Sequence, residues 1–396
     1  MLNEKMYALG SKRSTIREIF EYAKVRASEI GKENVFDFSI GNPSVPAPAL
    51  VNETLCNLIH QFNSVELHGY TSAQGDKAVR DTIAKNYTHR FGVPLCGDDL
   101  YMTCGAAASL TISLKALVVD GDEFIVFAPF FPEYRVFVEG VGAKLTVLPS
   151  TEKMLPDFNR LKNAINPCTK GVIINSPNNP SGVVYDPATL QTLADILKEK
   201  SLEFGQPIYL LADEPYRELI YDTSTIVASP MQYYDNTLIC YSYSKSLSLP
   251  GERIGYIAVN PKAENAKNIY AGICGAGRAL GYVCAPALFQ RLVAVCDGLT
   301  ADLSVYKKNR DLLYNQLTKY GFNCIYPDGA FYLFMQSAEA DASKFCEQAK
   351  KYELLLVDGK DFGCPGWVRI AYCVTTEQIE KALPLFEKLA KDYRLS

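Results

Sequence analysis

From about residue 50 to residue 290 short apolar runs alternate with stretches of helical rhythm. DLYMTC, FIVFAP, KLTVLP, GVIINSP, IYLLAD, TLICYSYS and RIGYIAVN read as strands, and their alternation with helices argues for a mainly parallel sheet covered on both faces. Before this region comes a polar start, then a helical rhythm over residues 12 to 30 with Ile16, Ile19, Phe20, Ala23 and Val25 as its apolar positions. Pro43, Pro46 and Pro48 in GNPSVPAPAL stop regular structure and mark a candidate hinge. The last hundred residues differ: a long helical stretch near 286 to 319, a strand pair around FYLFMQ and WVRIAYC, and a terminal helix. Thr375 with Gln378 resembles a capping box, and Ile379, Ala382, Leu383, Phe386 and Leu389 give that last helix one apolar face. The expected architecture is α/β, a large three-layer domain on a mainly parallel sheet plus a smaller α+β domain. The expected division is 1–49 as an N-terminal arm and part of the small domain, 50–290 as the large domain, and 291–396 as the rest of the small one.

Composition narrows this without redirecting it. The 396 residues are 48% hydrophobic and 21% charged, an ordinary globular balance with room for two domains. A formal net charge of −4 provides no overall basic field for nucleic acid or an anionic membrane, so any anion site must be local. The closest of the twelve cysteines, Cys96 and Cys104, have no metal-ligand spacing, and His60, His68 and His89 match neither a metal site nor a catalytic triad. Charges interrupt the first residues where a secretory segment needs an apolar run, and no stretch has transmembrane length, so the cytoplasm is the expected compartment.

Ligands of open parallel sheets collect beyond the carboxyl ends of the strands, and three successive strand ends here carry unusual chemistry. GVIIN is followed by Ser176-Pro177-Asn178-Asn179-Pro180-Ser181-Gly182, IYLLA by Asp213-Glu214-Pro215-Tyr216, and TLICY by Ser242-Tyr243-Ser244-Lys245. An amine such as Lys245 can form a Schiff base with an aldehyde, while hydroxyls and a guanidinium can hold a phosphate dianion. Pyridoxal phosphate presents both handles. Asp213 would keep its pyridine nitrogen protonated, since a nearby opposite charge raises the pKa of a nitrogen base. Tyr216 and Asn179 would donate to its phenolate oxygen. Gly105, Ala106 and Ala107, opening a helix after DLYMTC, would turn backbone N–H groups toward the phosphate, with Ser242, Ser244 and Arg253 opposite them. Phe131 in APFFPEY would stack on the ring, or serve as plain core.

With these residues in place the chain resembles the class I/II aminotransferases, the aspartate aminotransferase family of fold type I pyridoxal-phosphate enzymes. SPNNPSG is similar to that family's NPTG-type motif with serine for threonine, ADEPY to its aspartate and tyrosine motif, and SYSKSLSLPGERIGY to its lysine and arginine motif. The resemblance spans nearly the full length and implies a seven-stranded sheet and a homodimer with shared active sites, in which Tyr70 of GYTSAQG reaches the neighbour's phosphate. It implies that Arg369 in WVRIAYC grips the α-carboxylate of the substrate and that Gly41 lies in a segment closing over it. The expected reaction moves an amino group between an L-amino acid and a 2-oxo acid by a ping-pong course. A C–S β-lyase or an aspartate decarboxylase would use the same anchoring residues. A cofactor-sensing regulator would need a DNA-binding domain for which the short arm leaves no room.

Taken singly, most of these residues have ordinary explanations. Lys245 alone would be a solvated surface lysine, Asp213 a helix cap, Tyr216 core, and the NNPSG segment a turn. Three chemical requirements met at successive strand ends outweigh those explanations. Arg278 in GAGRALGY stays open, either a reader of a substrate's distal carboxylate from the neighbouring subunit or a residue without that role.

Overall fold

In the computed structural model, which describes residues 2–11 and 15–395, each of the seven apolar runs forms one strand of a single sheet. These are β1 Leu100–Thr103, β2 Glu123–Ala128, β3 Lys144–Pro149, β4 Thr169–Asn175, β5 Tyr209–Asp213, β6 Thr237–Ser242 and β7 Gly255–Val259. Their order is β1-β7-β6-β5-β4-β2-β3, and all run parallel except β7, which is antiparallel to both its neighbours. The reason lies in the connection. Parallel neighbours need a crossover, usually a helix, whereas residues 243–254 between β6 and β7 contain only the helical turn Tyr243–Ser246. The chain therefore doubles back, and this short return carries Lys245 and Arg253.

The strands are apolar almost without interruption because both faces are covered. Phe127, Val172, Ile174, Leu210 and Ala212 enter one core with the helices Lys77–Phe91, Pro187–Phe204 and Ala287–Cys296. Phe124, Val126, Ile173 and Leu211 enter the other with the helices Ala106–Leu117, Glu133–Gly140 and Ala266–Leu280. Successive side chains go to opposite faces, as the two-residue period of a strand demands.

A third core belongs to the C-terminal part. β8 Cys324–Ile325, β9 Tyr332–Gln336, β10 Val357–Asp358 and β11 Trp367–Ala371 form an antiparallel sheet in the order β10-β11-β9-β8. The helix Thr376–Asp392 buries Ile379, Ala382, Leu383, Phe386 and Leu389 against it. Phe36 and Phe38 join the same core, and Phe36–Asp37 pairs in parallel with Leu354–Leu355. The helix Ala287–Cys296 crosses the expected boundary at 290 and packs Leu292, Val293 and Cys296 into the large core.

Local expectations are refined by the structure. The helical stretch near 286 to 319 is two helices, Ala287–Cys296 and Leu303–Lys319. Gly298 at φ 86° lies between them, and Asp302 accepts from the Ser304 N–H to start the second. The polar start contains a helix, Glu4–Ser11, with no buried residue. The helix expected over 12 to 30 covers Thr15–Ile30, and positions 12–14 lie outside the described residues. Thr375 caps the last helix by accepting from the Gln378 N–H at 3.2 Å, but the return bond of a full box is not made. Among the described residues no helix is long and apolar enough to cross a membrane.

Candidate active site

The strand ends meet at a cavity of about 290 Å³. Eleven residues singled out by sequence line it: Gly41, Ala106, Phe131, Asn179, Asp213, Tyr216, Ser242, Ser244, Lys245, Arg253 and Arg369. Gly105 sits beside it, and Ala107 lies one residue deeper in the helix. Tyr70 and Arg278 are not in this cavity: Tyr70 is 97% exposed, and Arg278 is exposed in the last turn of the helix Ala266–Leu280. A larger hollow of about 1000 Å³ beside the first two helices shares none of the lining residues.

One end of the cavity gathers groups suited to an anion. Gly105 caps the helix Ala106–Leu117 at φ 88°, a conformation in which glycine carries no steric penalty. A Cβ there would stand 3.1 Å from Arg253 Nη2, so the guanidinium packs directly on this turn. Arg253 Nη1 donates to Pro250 O at 3.2 Å, and no carboxylate among the described residues pairs with it. The Ser242 and Ser244 hydroxyls are 2.7 Å apart. A helix N-terminus, two hydroxyls and an uncompensated guanidinium suit a phosphate.

Deeper in, Asp213 is buried, and Tyr134 Oη donates to its Oδ2 at 2.5 Å. Its Oδ1 is buried without a hydrogen-bond partner, an orphan acceptor that buried carboxylates rarely keep without a ligand to fill it. Burial pushes this carboxyl up to about 7, Tyr134 opposes the rise and the neighbouring Glu214 adds to it. A cationic N–H donor such as a protonated pyridine nitrogen would satisfy the orphan and restore the charge, so the residues fit that ring. Asn175 ties the corner together: its Nδ2 donates to Asp213 O at 2.8 Å and its Oδ1 accepts from Asn179 N at 2.7 Å.

The other end presents a second buried cation. Arg369 is 2% exposed, held by Asn179 Oδ1 at 3.1 Å and by Ser39 O, with Nε unpartnered. It lies over the rings of Tyr332 and Phe362. Among the described residues no carboxylate is bound to it, and burial depresses its proton affinity. Because Asn179 gives its oxygen to Arg369, its NH₂ is the group available to a ligand. Tyr216 shares a 2.9 Å hydrogen bond with the Tyr332 hydroxyl.

Lys245 stands between the two ends. Its Nζ donates to Gly41 O at 2.7 Å, and desolvation brings the amine down to about 8, with Arg253 and Arg369 repelling its proton further. The segment Ser39–Gly41 thus offers successive carbonyls to Arg369, the Cys373 thiol and Lys245. Gly41 must be glycine, since a Cβ would run into the Tyr332 hydroxyl. Sequence reasoning missed Tyr134, Asn175, Ser39 and Tyr332. Asn175 alone had a signal, an amide closing an apolar strand.

A buried amine of lowered basicity, a carboxylate with an open lone pair and two anion-ready ends define an enzyme of amino-acid chemistry on a fold type I scaffold. The chain belongs to the family of class I and II aminotransferases, whose model matches residues 33–385, and it is a pyridoxal-phosphate-dependent transaminase. It is 29% identical to a probable aspartate aminotransferase of Methanocaldococcus jannaschii over 96% of this chain and 97% of that one. Among solved structures, an aminotransferase from Eubacterium rectale superposes with a TM-score of 0.97 at 56% identity, covering 99% of both chains. The aspartate aminotransferase of Thermus thermophilus, solved with maleate, superposes with a TM-score of 0.85 at 26% identity over 98% of this chain and 99% of that one.

Proposed function

We propose that Lys245 holds pyridoxal phosphate through its amine and also moves the substrate's α-proton. The observation that carries this is the pairing, in one cavity, of Lys245 with the unpartnered Oδ1 of Asp213. Asp213 would bind the pyridine nitrogen, and Tyr216 and the Asn179 NH₂ would address the phenolate oxygen. Gly105, Ala106, Ala107, Ser242, Ser244 and Arg253 would hold the phosphate, with Phe131 against the ring. When bound, the cofactor supplies an electron sink for the substrate's α-carbon.

The rest is done by the chain's own groups. Arg369 binds the α-carboxylate that every amino donor and 2-oxo acceptor carries, which orients the reacting carbon without reading the side chain. Lys245 Nζ, already inclined to lose its proton near pH 8, accepts the α-proton and returns it. Gly41 O accepts from Nζ and fixes its direction. The reaction is the exchange of an amino group between an L-amino acid and a 2-oxo acid, in two half-reactions on one site.

The same reading assigns a homodimer with shared sites. Tyr70, Val65, Tyr282 and Val283 are exposed, and the Cys284 N–H to Ala73 O bond brings the two segments carrying them together. A second copy covering them would carry Tyr70 to the partner's phosphate end. Twelve unpaired cysteines favour a reducing, cytoplasmic setting.

The test is Lys245→Ala. It should abolish the visible absorbance of the lysine-bound cofactor and reduce transamination by roughly 10³-fold or more; a variant retaining both would refute the assignment. A single amino donor without oxo acid should convert one equivalent per site and stop, whereas a lyase would continue.

A further inference from the structure

Behind the cavity, and lining none of it, lies a buried ionic cluster that the chemistry above does not use. Arg217 spends its whole guanidinium there: Nη1 donates to Glu214 Oε2 at 3.1 Å, Nε to Glu218 Oε1 at 2.9 Å and Nη2 to Tyr256 Oη at 3.1 Å. Its planar group lies 4.2 Å from the centre of the Tyr241 ring. Glu218 Oε1 also accepts from Arg90 Nη1 at 2.9 Å, and its Oε2 accepts from Tyr241 Oη at 2.7 Å. Tyr241 Oη is in turn 3.0 Å from Ser246 Oγ.

The placement of these groups along the chain matters more than their number. Glu214 follows Asp213 at the end of β5, and Ser246 follows Lys245 in the turn after β6. The bonds therefore run from the backbone neighbour of the acid, through Arg217, Glu218 and Tyr241, to the backbone neighbour of the amine. The turn Tyr243–Ser246 is only four residues long and cannot hold itself rigid as an isolated helix. Buried ion pairs cost desolvation that a well-packed apolar cluster avoids, so they are weak contributors to stability. A cluster joining the two turns that must stay in register has a use beyond stability.

Resting on the assignment of Lys245 and Asp213 above, we propose that Glu218 and Tyr241 are positioning residues that hold the Lys245 turn in register with Asp213 through the Tyr241–Ser246 hydrogen bond. The turn has a second tether, Tyr243 Oη to Asp297 Oδ1 at 2.7 Å. The effect expected from cutting the first one is therefore a loosened turn, not an unfolded one.

Tyr241→Phe removes the bridging hydroxyl and keeps the ring that stacks on Arg217, and Ser246→Ala cuts the same bond from its other end. In the holoenzyme each should lower kcat about 10-fold with KM within about 2-fold, and the double variant should be no worse than Tyr241→Phe alone, because Tyr241→Phe already removes the bond that Ser246→Ala cuts, along with the bond to Glu218. In the cofactor-free protein, amide hydrogen exchange over residues 243–248 should quicken about 10-fold while the strands β4 and β5 keep their wild-type protection. Exchange that rises everywhere in step with a lower melting temperature, with kcat unchanged, would show a merely structural cluster and overturn the proposal. Multiplying rate losses in the double variant would overturn it as well, by showing two separate interactions. The exchange measurement tests the bridge whether or not Lys245 is the reactive amine, and Lys245→Ala tests the amine whether or not the bridge exists.

Discussion

Arg217 and Arg369 are both almost fully buried, at 4% and 2% exposure, and both sit among aromatic rings, yet their surroundings are opposite. Arg217 has two carboxylates and a phenol within hydrogen-bond distance, and its charge is cancelled where it lies. Arg369 has an amide oxygen, a backbone carbonyl and an unpartnered Nε. A buried guanidinium without a counter-charge is expensive, so it persists where a ligand supplies the missing anion. The comparison separates two settings of one residue type: Arg217 closes an ion-paired cluster, and Arg369, under the proposed function, would receive the substrate's carboxylate. Burial alone does not distinguish them, but the census of acceptors does.

The comparison can be broken most forcefully at Arg217. Arg217→Met leaves Glu214 and Glu218 facing each other with only Arg90 to compensate, and should cost about 3–5 kcal/mol, read by urea unfolding. A loss under 1 kcal/mol would mean that the scaffold does not need its cation.

Asp213→Asn probes a carboxylate as unpaired as Arg369. The rise from 3.8 to about 7 corresponds to on the order of 4 kcal/mol. Its sign follows from linkage: the folded state holds the proton more tightly, so the wild type is favoured below the free carboxyl's pKa and loses that advantage as pH climbs through about 7. Without cofactor, Asp213→Asn should therefore gain stability over the wild type progressively from pH 4 to pH 7 and keep the gain at pH 8. With cofactor the order should reverse, because the charge then has its partner. Equal stability of the two proteins at pH 5 and pH 8 would discard the orphan-acceptor reading.

Arg369→Lys keeps the charge and loses the fork. It should lower kcat/KM for every amino donor by roughly 100-fold with little change in unfolding, the reverse of the pattern at Arg217. The smallest effect belongs to Gly105→Ala, which forces an L-residue to φ 88° and crowds Arg253. It should cost about 1–2 kcal/mol and weaken binding of inorganic phosphate to the cofactor-free protein, measured by calorimetry.

Much of this is legible in the sequence. Seven apolar runs became seven strands because residues buried on both faces must be apolar throughout, and that composition survives in a linear reading. Lys245, Asp213, Tyr216 and Asn179 were legible because parallel strands deliver their chemistry just past their last apolar residue. Tyr134 and Ser39 were not, since one is an aromatic inside a helix and the other acts through its carbonyl, which every residue has. Gly298 and Asp302 split a rhythm that the apolar positions alone continue, because a break depends on backbone conformation and caps more than on hydrophobic spacing.

Local pattern and motif, written in the sequence, determined that this chain would form a doubly covered α/β sheet and would carry an amine, a carboxylate and an arginine fit for pyridoxal phosphate. Which groups are compensated was decided only by the tertiary structure. ADEPYRELIY already sets Glu214 and Glu218 beside Arg217, but nothing in WVRIAYC says that Arg369 meets Asn179 and Ser39 and, among the described residues, no carboxylate, because those contacts depend on distances between segments far apart in the chain. Those distances, through desolvation and Coulomb attraction that change steeply over a few ångströms, turn similar residues into a paired strut at one place and an unpaired cation at another.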